Sequence, residues 1–447
     1  MLTRRRFLEQ TVRGSSLVAV GPLVPGFLAT TARAAEPGGE TVLVVLELTG
    51  GNDGLNTVVP YGDDLYHKAR PTLRLTADKV VKVDDRIGLN PGLRGLEKLL
   101  AADQLAIVQG VGYPNPDRSH FESMDVWQTA DPARRTGSGW LGRSLGAIPV
   151  RPGQVSGIHV GVEALPLALR GSATGVPTIH FSKPLDLELA PRSVPAQGSL
   201  FAGQRFAPPG ETAGGFSAED ARFAPRRRLI EDLAELASAP DPMLQFVRRT
   251  SLQTYAAIEH LKGVTRTRHR PFRSALGAGN PGNELGQNLD LVASLISSEF
   301  GTRLFYLSLS GFDTHANQLQ TQQQLLQQVA GAIDGFFTRL AQSGDARRVV
   351  LMTFSEFGRR VQENGSKGTD HGAASCLFVA GPAVQGGVVG AHPGLAPDQL
   401  DAGDLKHHTD FRRVYATLLD GWLGCPSAEV LGAAFEPLPL LRQKWSS

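Results

Sequence analysis

The stretch "TVLVVLELTGGND", residues 41–53, decides the fold. Residues 41–48 form one apolar run, and "TGGND" ends it with turn-forming residues. An apolar run without polar alternation suits a strand buried on both faces, as at the centre of a parallel sheet. Four more such runs follow: "QLAIVQGVG" (104–112), "RLFYLSLS" (303–310), "RRVVLMTFS" (347–355) and "SCLFVAGP" (375–382). Between them apolar residues recur at steps of three and four, as in Leu285, Leu289, Val292, Ile296 and Phe300, and again in Leu326, Val329, Ile333, Phe336 and Leu340. Strands alternating with amphipathic helices predict an α/β fold with a mostly parallel central sheet and helices on both faces.

Working outward, residues 1–34 read as an address. "TRRRFLEQ" carries twin arginines ahead of Phe7 and Leu8, a short proline-broken apolar run follows, and "ATTARAAE" offers a small-residue cleavage site. This pattern is expected of a twin-arginine export signal, making the twin-arginine translocase a partner and the periplasm or exterior the destination. Without that segment's five basic residues and Glu9, the formal charge of +2 becomes about −2. No long basic run remains, which disfavours nucleic acid as a partner. No other segment reaches 18 apolar residues, so no stable membrane span is expected. Residues 35–447 are expected to form a single domain. Within it, 200–282 reads as an insertion: a Gly/Pro/Ala-rich loop over 202–228, then helices over 229–262, serving either as a substrate lid or as a plain covering layer. Cys376 and Cys425 share no metal-binding spacing and fit two buried thiols or one disulfide.

Ligands of open α/β sheets bind beyond the carboxyl ends of the strands. Asp53 and Asn56 follow the first run. Arg118, Ser119, His120 and Glu122 follow the second, in "YPNPDRSHFESMD". Asp313 and His315 follow the third, in "GFDTHANQ", and Glu356, Arg359 and Arg360 follow the fourth. Asp370 and His371 precede the last. Each group has a plain structural reading beside the functional one. "GGNDG" suits a tight turn, Ser119 and Glu122 fit a capping box, and Asp313 and Thr314 could cap a helix opening near Gln318. "SEFGRR" suits a surface salt bridge and "DHG" an ordinary loop. Their gathering at one sheet edge favours a site. Asp, Glu and His suit a divalent ion, and a serine at a helix start beside Arg118 suits a metal-activated nucleophile. With no GxGxxG after the first strand and no GxxxxGK[ST], neither a nicotinamide cofactor nor a P-loop is supported.

"DHGAASCLFVAGPAVQGGVVG" (370–390) followed by "HTDFRRVYATLLDGWLG" (408–424) resembles the C-terminal part of the alkaline phosphatase and sulfatase superfamily. "TGGNDGLNTVVPY", "RSHFESMDVWQTA", "GFDTH" and "SEFGRR" with "DHG" more closely resemble an exported bacterial family of unknown function, number 1501 among such families. The resemblance implies an alkaline phosphatase-like domain with one or two divalent ions (Zn, Mn, Mg or Ca). It places His371, with His315 and Asp313, on a first ion, and Asp53 and Glu356 on a second; Asp370, adjacent to His371, is a further candidate metal ligand. Ser119 would be the nucleophile and Arg118 would hold an ester oxygen, with Asn56, His120 and Arg359 toward the substrate. The chain departs from the superfamily pattern in two places. Asp313 stands two residues before its histidine rather than four, and Phe357 follows Glu356 where a histidine is usual.

The expectation is therefore an exported metal-dependent hydrolase of phosphate or sulfate esters, with a small-molecule or glycan ester as substrate. Two alternatives stand beside it: a degenerate relative that binds an anionic glycan or surface polymer without turnover, and a metal-free serine hydrolase, which lacks a GxSxG elbow.

Overall fold

A computed structural model describes residues 40–133, 135–148, 155–171, 175–179, 283–298 and 301–442. The export segment, the 200–282 insertion with its helices, and Phe300 lie outside the described residues.

The centre is a nine-stranded sheet. In chain order its strands are β1 (Val42–Thr49), β2 (Leu105–Gly112), β3 (Gly157–Val160), β4 (Thr178–Ile179), β5 (Leu304–Ser310), β6 (Val349–Phe354), β7 (Ser375–Ala380), β8 (Gly387–Val389) and β9 (Thr409–Asp410). Across the sheet they run β8-β2-β7-β6-β1-β5-β3-β4, with β9 beside the end of β2. All five strands expected from apolar runs are present, and β1 is central, paired in parallel with β5 and β6. β7 runs antiparallel to both its neighbours, whereas the other pairings are parallel. This matters for the site, because reversing β7 brings its leading residues to the edge where the parallel strands end.

Successive β1 side chains point to opposite faces. Val42, Val44, Leu46 and Leu48 enter one core, against α3 (Glu284–Ser297) and α4 (Gln318–Ser343). Leu43 and Val45 enter the other, with α1 (His120–Thr129), α2 (Trp140–Ala147) and α5 (Phe411–Leu418). The two cores give the three-layer arrangement expected from the pattern. The residues spaced by three and four on α3 and α4 are buried, from Leu285 to Ile296 and from Leu326 to Leu340. In the second core Trp127 stacks between Phe354 and Phe411, and Trp140 stacks on Tyr415. Cys376 and Cys425 are both free and buried, one in each core. No described helix is long and apolar enough to cross a membrane.

Candidate metal centre

The loop after β1 comes first, because the others rest on it. Gly50 and Gly51 take φ values of +118° and +76°, which L side chains rarely adopt. A Cβ on Gly50 would lie 2.4 Å from the Asp313 nitrogen, and one on Gly51 would lie 2.2 Å from the Phe357 ring. The two glycines thus let the β1 loop lie against the residues following β5 and β6. Arg359, 1% exposed, locks these segments together. Its guanidinium donates to the carbonyls of Gly51 (2.7 Å), Thr369 (2.8 Å), Phe312 (3.0 Å) and Gly50, and to Asp313 Oδ1 at 2.7 Å. Arg359 is therefore a buried clamp that holds Asp313. It is not turned toward a substrate, as the sequence had suggested.

Three histidines converge on Asp313. His371 Nε2 lies 3.2 Å and His315 Nε2 3.1 Å from its Oδ1, and the two Nε2 atoms are 3.0 Å apart. His120 Nε2 lies 3.5 Å from Oδ2. His120, Asp313 and His371 form a group that could hold a metal ion. The other ring nitrogen of each histidine has its own partner. His120 Nδ1 meets Glu356 Oε1 at 2.8 Å, His371 Nδ1 the Arg118 carbonyl at 2.8 Å, and His315 Nδ1 Asp370 Oδ1 at 3.3 Å.

These partners engage the Nδ1 atoms. A carbonyl can only accept, so His371 donates from Nδ1; its Nε2 then faces Asp313, as a donor when protonated or as a lone pair when a cation lies between them. The carboxylates on His120 and His315 impose the same orientation. With each Nδ1 engaged, three Nε2 atoms and a carboxylate face one another, an arrangement that could hold a cation. The near-equilateral triangle of His315 Nε2, His371 Nε2 and Asp313 Oδ1 also fits one ion. Ligands bound tetrahedrally at about 2.0–2.1 Å stand roughly 3.3 Å apart. Locking Nδ1 with a carboxylate or carbonyl is how proteins orient histidine ligands toward a metal.

Electrostatics support the cluster. Burial pushes the Asp313 carboxyl up, but hydrogen bonds from Arg359 and His371 and the charges of Arg359 and His315 outweigh it and hold the group at about 2. The hydrogen bond to Glu356 raises the His120 pKa against the opposing effect of burial. The Asn364 side chain, donating at 3.1 Å, helps lower the Asp370 carboxyl. Phe357, which stands where the superfamily pattern has a histidine, is buried and packs its ring 4.9 Å from His120 and 4.6 Å from His371. It forms an apolar floor beneath the two imidazoles.

The structural alternatives for these segments fare differently. Residues 313–314 do not cap α4, whose N-cap position is Asn317 without a side-chain cap bond. Ser119 holds the N-cap position of α1, yet its side chain makes no cap bond, so the capping box is not formed. Ser119 is exposed beside His120. Arg118 reaches the cluster through its carbonyl, while its guanidinium lies 2.5 Å from Asp404. Glu356 is fully buried and makes no surface salt bridge; besides His120 it accepts from Gly50 N at 2.9 Å and Ser355 Oγ at 3.0 Å. It stands behind His120.

Asp53 and Asn56 belong to a separate buried network. Asp53 caps the short helix Gly54–Thr57 and is paired with Arg70, which is fully buried. Asn56 spends Oδ1 on Arg70 (2.8 Å) and Tyr66 (2.9 Å) and Nδ2 on the Leu73 carbonyl (2.8 Å). It is 0% exposed, so it has no face to offer a substrate. Arg70 was absent from the sequence reading; nothing in "KARPTL" distinguishes it from a surface arginine. His120 was assigned there to substrate, and its pairing with Glu356 spans segments with no local signal.

Residues 265–430 match the model of a family described as a protein of unknown function, DUF1501. No curated protein matches. Among solved structures, the chain is similar to Ps i-CgsB at 10% identity and TM-score 0.31, covering 89% of this chain and 73% of that one. It is similar to the lipoteichoic acid synthase LtaP from Listeria monocytogenes at 8% identity and TM-score 0.30, covering 76% of this chain and 65% of that one. It is similar to a 2-O GAG sulfatase at 11% identity and TM-score 0.29, covering 89% and 72%. Likenesses this slight decide nothing about activity.

Proposed function

We propose that the protein is an exported, metal-dependent hydrolase of phosphate or sulfate esters, small or carried on a glycan. The observation that supports it is the set of three imidazoles, each fixed at Nδ1 and turned at Nε2 toward Asp313. His120, His371 and Asp313 would hold the ion, with His315 as a further imidazole against it. Imidazole-rich sets favour Zn or Mn over Mg or Ca, which prefer oxygen. A bound ion supplies Lewis acidity to an ester oxygen and to an attacking hydroxyl. The chain supplies the rest. Ser119 offers an exposed hydroxyl at the start of α1, next to His120. Arg118 brings a half-exposed guanidinium to the same loop.

The test is turnover of aryl phosphate and aryl sulfate by the full chain, stripped by chelator and then reloaded with Zn²⁺ or Mn²⁺. We expect hydrolysis that requires the ion and is lost in Ser119→Ala and His371→Ala. One observation favours binding without turnover instead, since Asp404 already engages the Arg118 guanidinium. Reloaded protein that retains an anionic glycan but cleaves neither ester would establish that reading. Labelling of Ser119 by a fluorophosphonate in chelated protein would establish a metal-free serine hydrolase.

A further inference from the structure

The resemblance that implies a first ion also implies a second, on Asp53 and Glu356, and these residues do not fit it. A carboxylate offers about four lone-pair positions. On Asp53 four donors fill them: Leu55 N (3.1 Å) and Arg70 Nη2 (3.0 Å) at Oδ1, and Arg70 Nη1 (2.5 Å) and Gln318 Nε2 at Oδ2. Arg70 is equally committed. Its remaining hydrogen bonds go to the Val361 carbonyl (3.0 Å), Asn56 Oδ1 (2.8 Å) and the Arg360 carbonyl (2.9 Å), so each of its five N–H groups has an acceptor. Both side chains are at most 1% exposed. Glu356, the other expected ligand, is used by His120, Gly50 and Ser355.

We infer that the centre is mononuclear and that Arg70 is the built-in cation of Asp53, standing where the resemblance places a second ion. A buried carboxylate needs a counter-charge, and a bidentate guanidinium supplies one with fixed geometry. The pair also positions the site. Gln318 donates to Asp53 and accepts from Thr369 Oγ1 at 2.5 Å, and the Thr369 carbonyl accepts from Arg359. The Asp53–Arg70 pair thereby braces the loop that carries Asp370 and His371.

This inference rests on the metal reading proposed above, and stoichiometry separates the two. The full chain, stripped by chelator, is titrated with Zn²⁺ and with Mn²⁺, and bound ions are counted by native mass spectrometry. One tight equivalent per chain is expected, lost in His371→Ala. Two tight equivalents would overturn the mononuclear assignment and leave the hydrolase proposal standing. No bound ion would overturn both.

Discussion

Glu356 touches no solvent and acts through its neighbours. By accepting from His120 Nδ1 it fixes which nitrogen faces Asp313, and by accepting from Gly50 it ties that histidine to the β1 loop. Glu356→Gln keeps the shape and removes the charge, so metal affinity is expected to fall about 10–100-fold while the fold persists. A chelator-competition titration alongside circular dichroism checks both halves. Glu47 is a second buried acid with a different consequence. It projects from β1 into the core shared with Leu43 and Val45, where Tyr306 and Gln128 donate to it. Burial, with a smaller contribution from the charge of Glu356, raises it from 4.5 to about 7 despite those bonds. A folded pKa above the unfolded one means that the stabilising effect is fully present below pH 4.5 and is lost as pH rises through about 7. Glu47→Gln removes that loss. Its stability relative to the parent is expected to be about 3 kcal/mol better at pH 8 than at pH 4.5. Denaturant melts of both proteins across that range measure the difference. If the difference does not change with pH, the raised pKa is wrong.

Among the elements, the loop after β1 sets the tolerances. Gly51→Ala places a methyl 2.2 Å from the Phe357 ring at a φ of +76°. The backbone cost alone is about 1–2 kcal/mol, and displacing Phe357 removes the support beneath His120 and His371. Lowered Tm together with weakened metal binding is expected; a Tm change with unaltered metal affinity would remove Phe357 from any role in orienting the imidazoles. The elements also show where sequence reading succeeds. Long apolar runs such as 41–48 and the three-and-four spacing on α4 record burial along one segment, so they are legible locally. Strands β4 and β9 have two residues each, too short to show a period. The direction of β7 was equally hidden, because an apolar run reads the same in either orientation.

For the whole molecule, the candidate centre draws on four separated stretches: Arg118 to His120, Asp313 to His315, Glu356, and Asp370 to His371. Their residue types were legible from sequence. Their roles were not, since Asp53 and Glu356 look alike in sequence and differ only in what surrounds them. An ion bound across such stretches links them thermodynamically. Binding to the folded state alone stabilises it by about 2.7 kcal/mol at one hundred times Kd. Chelation should therefore lower Tm by several degrees, and Zn²⁺ or Mn²⁺ should restore it in the parent but not in His371→Ala. Equal melting with and without metal, at saturating concentration, would deny the link.

The position of β1 has a temporal consequence. Its two partners begin at Leu304 and Val349, more than half the chain away. Emerging from the ribosome, β1 finds neither edge paired until most of the polypeptide has been made. Long-range closure of this kind makes for slow folding, and meanwhile it leaves an apolar strand in need of protection. The candidate centre inherits that delay, because its ligands reach one edge only when β5, β6 and β7 have taken their places. Any ion that the centre takes would therefore be acquired last.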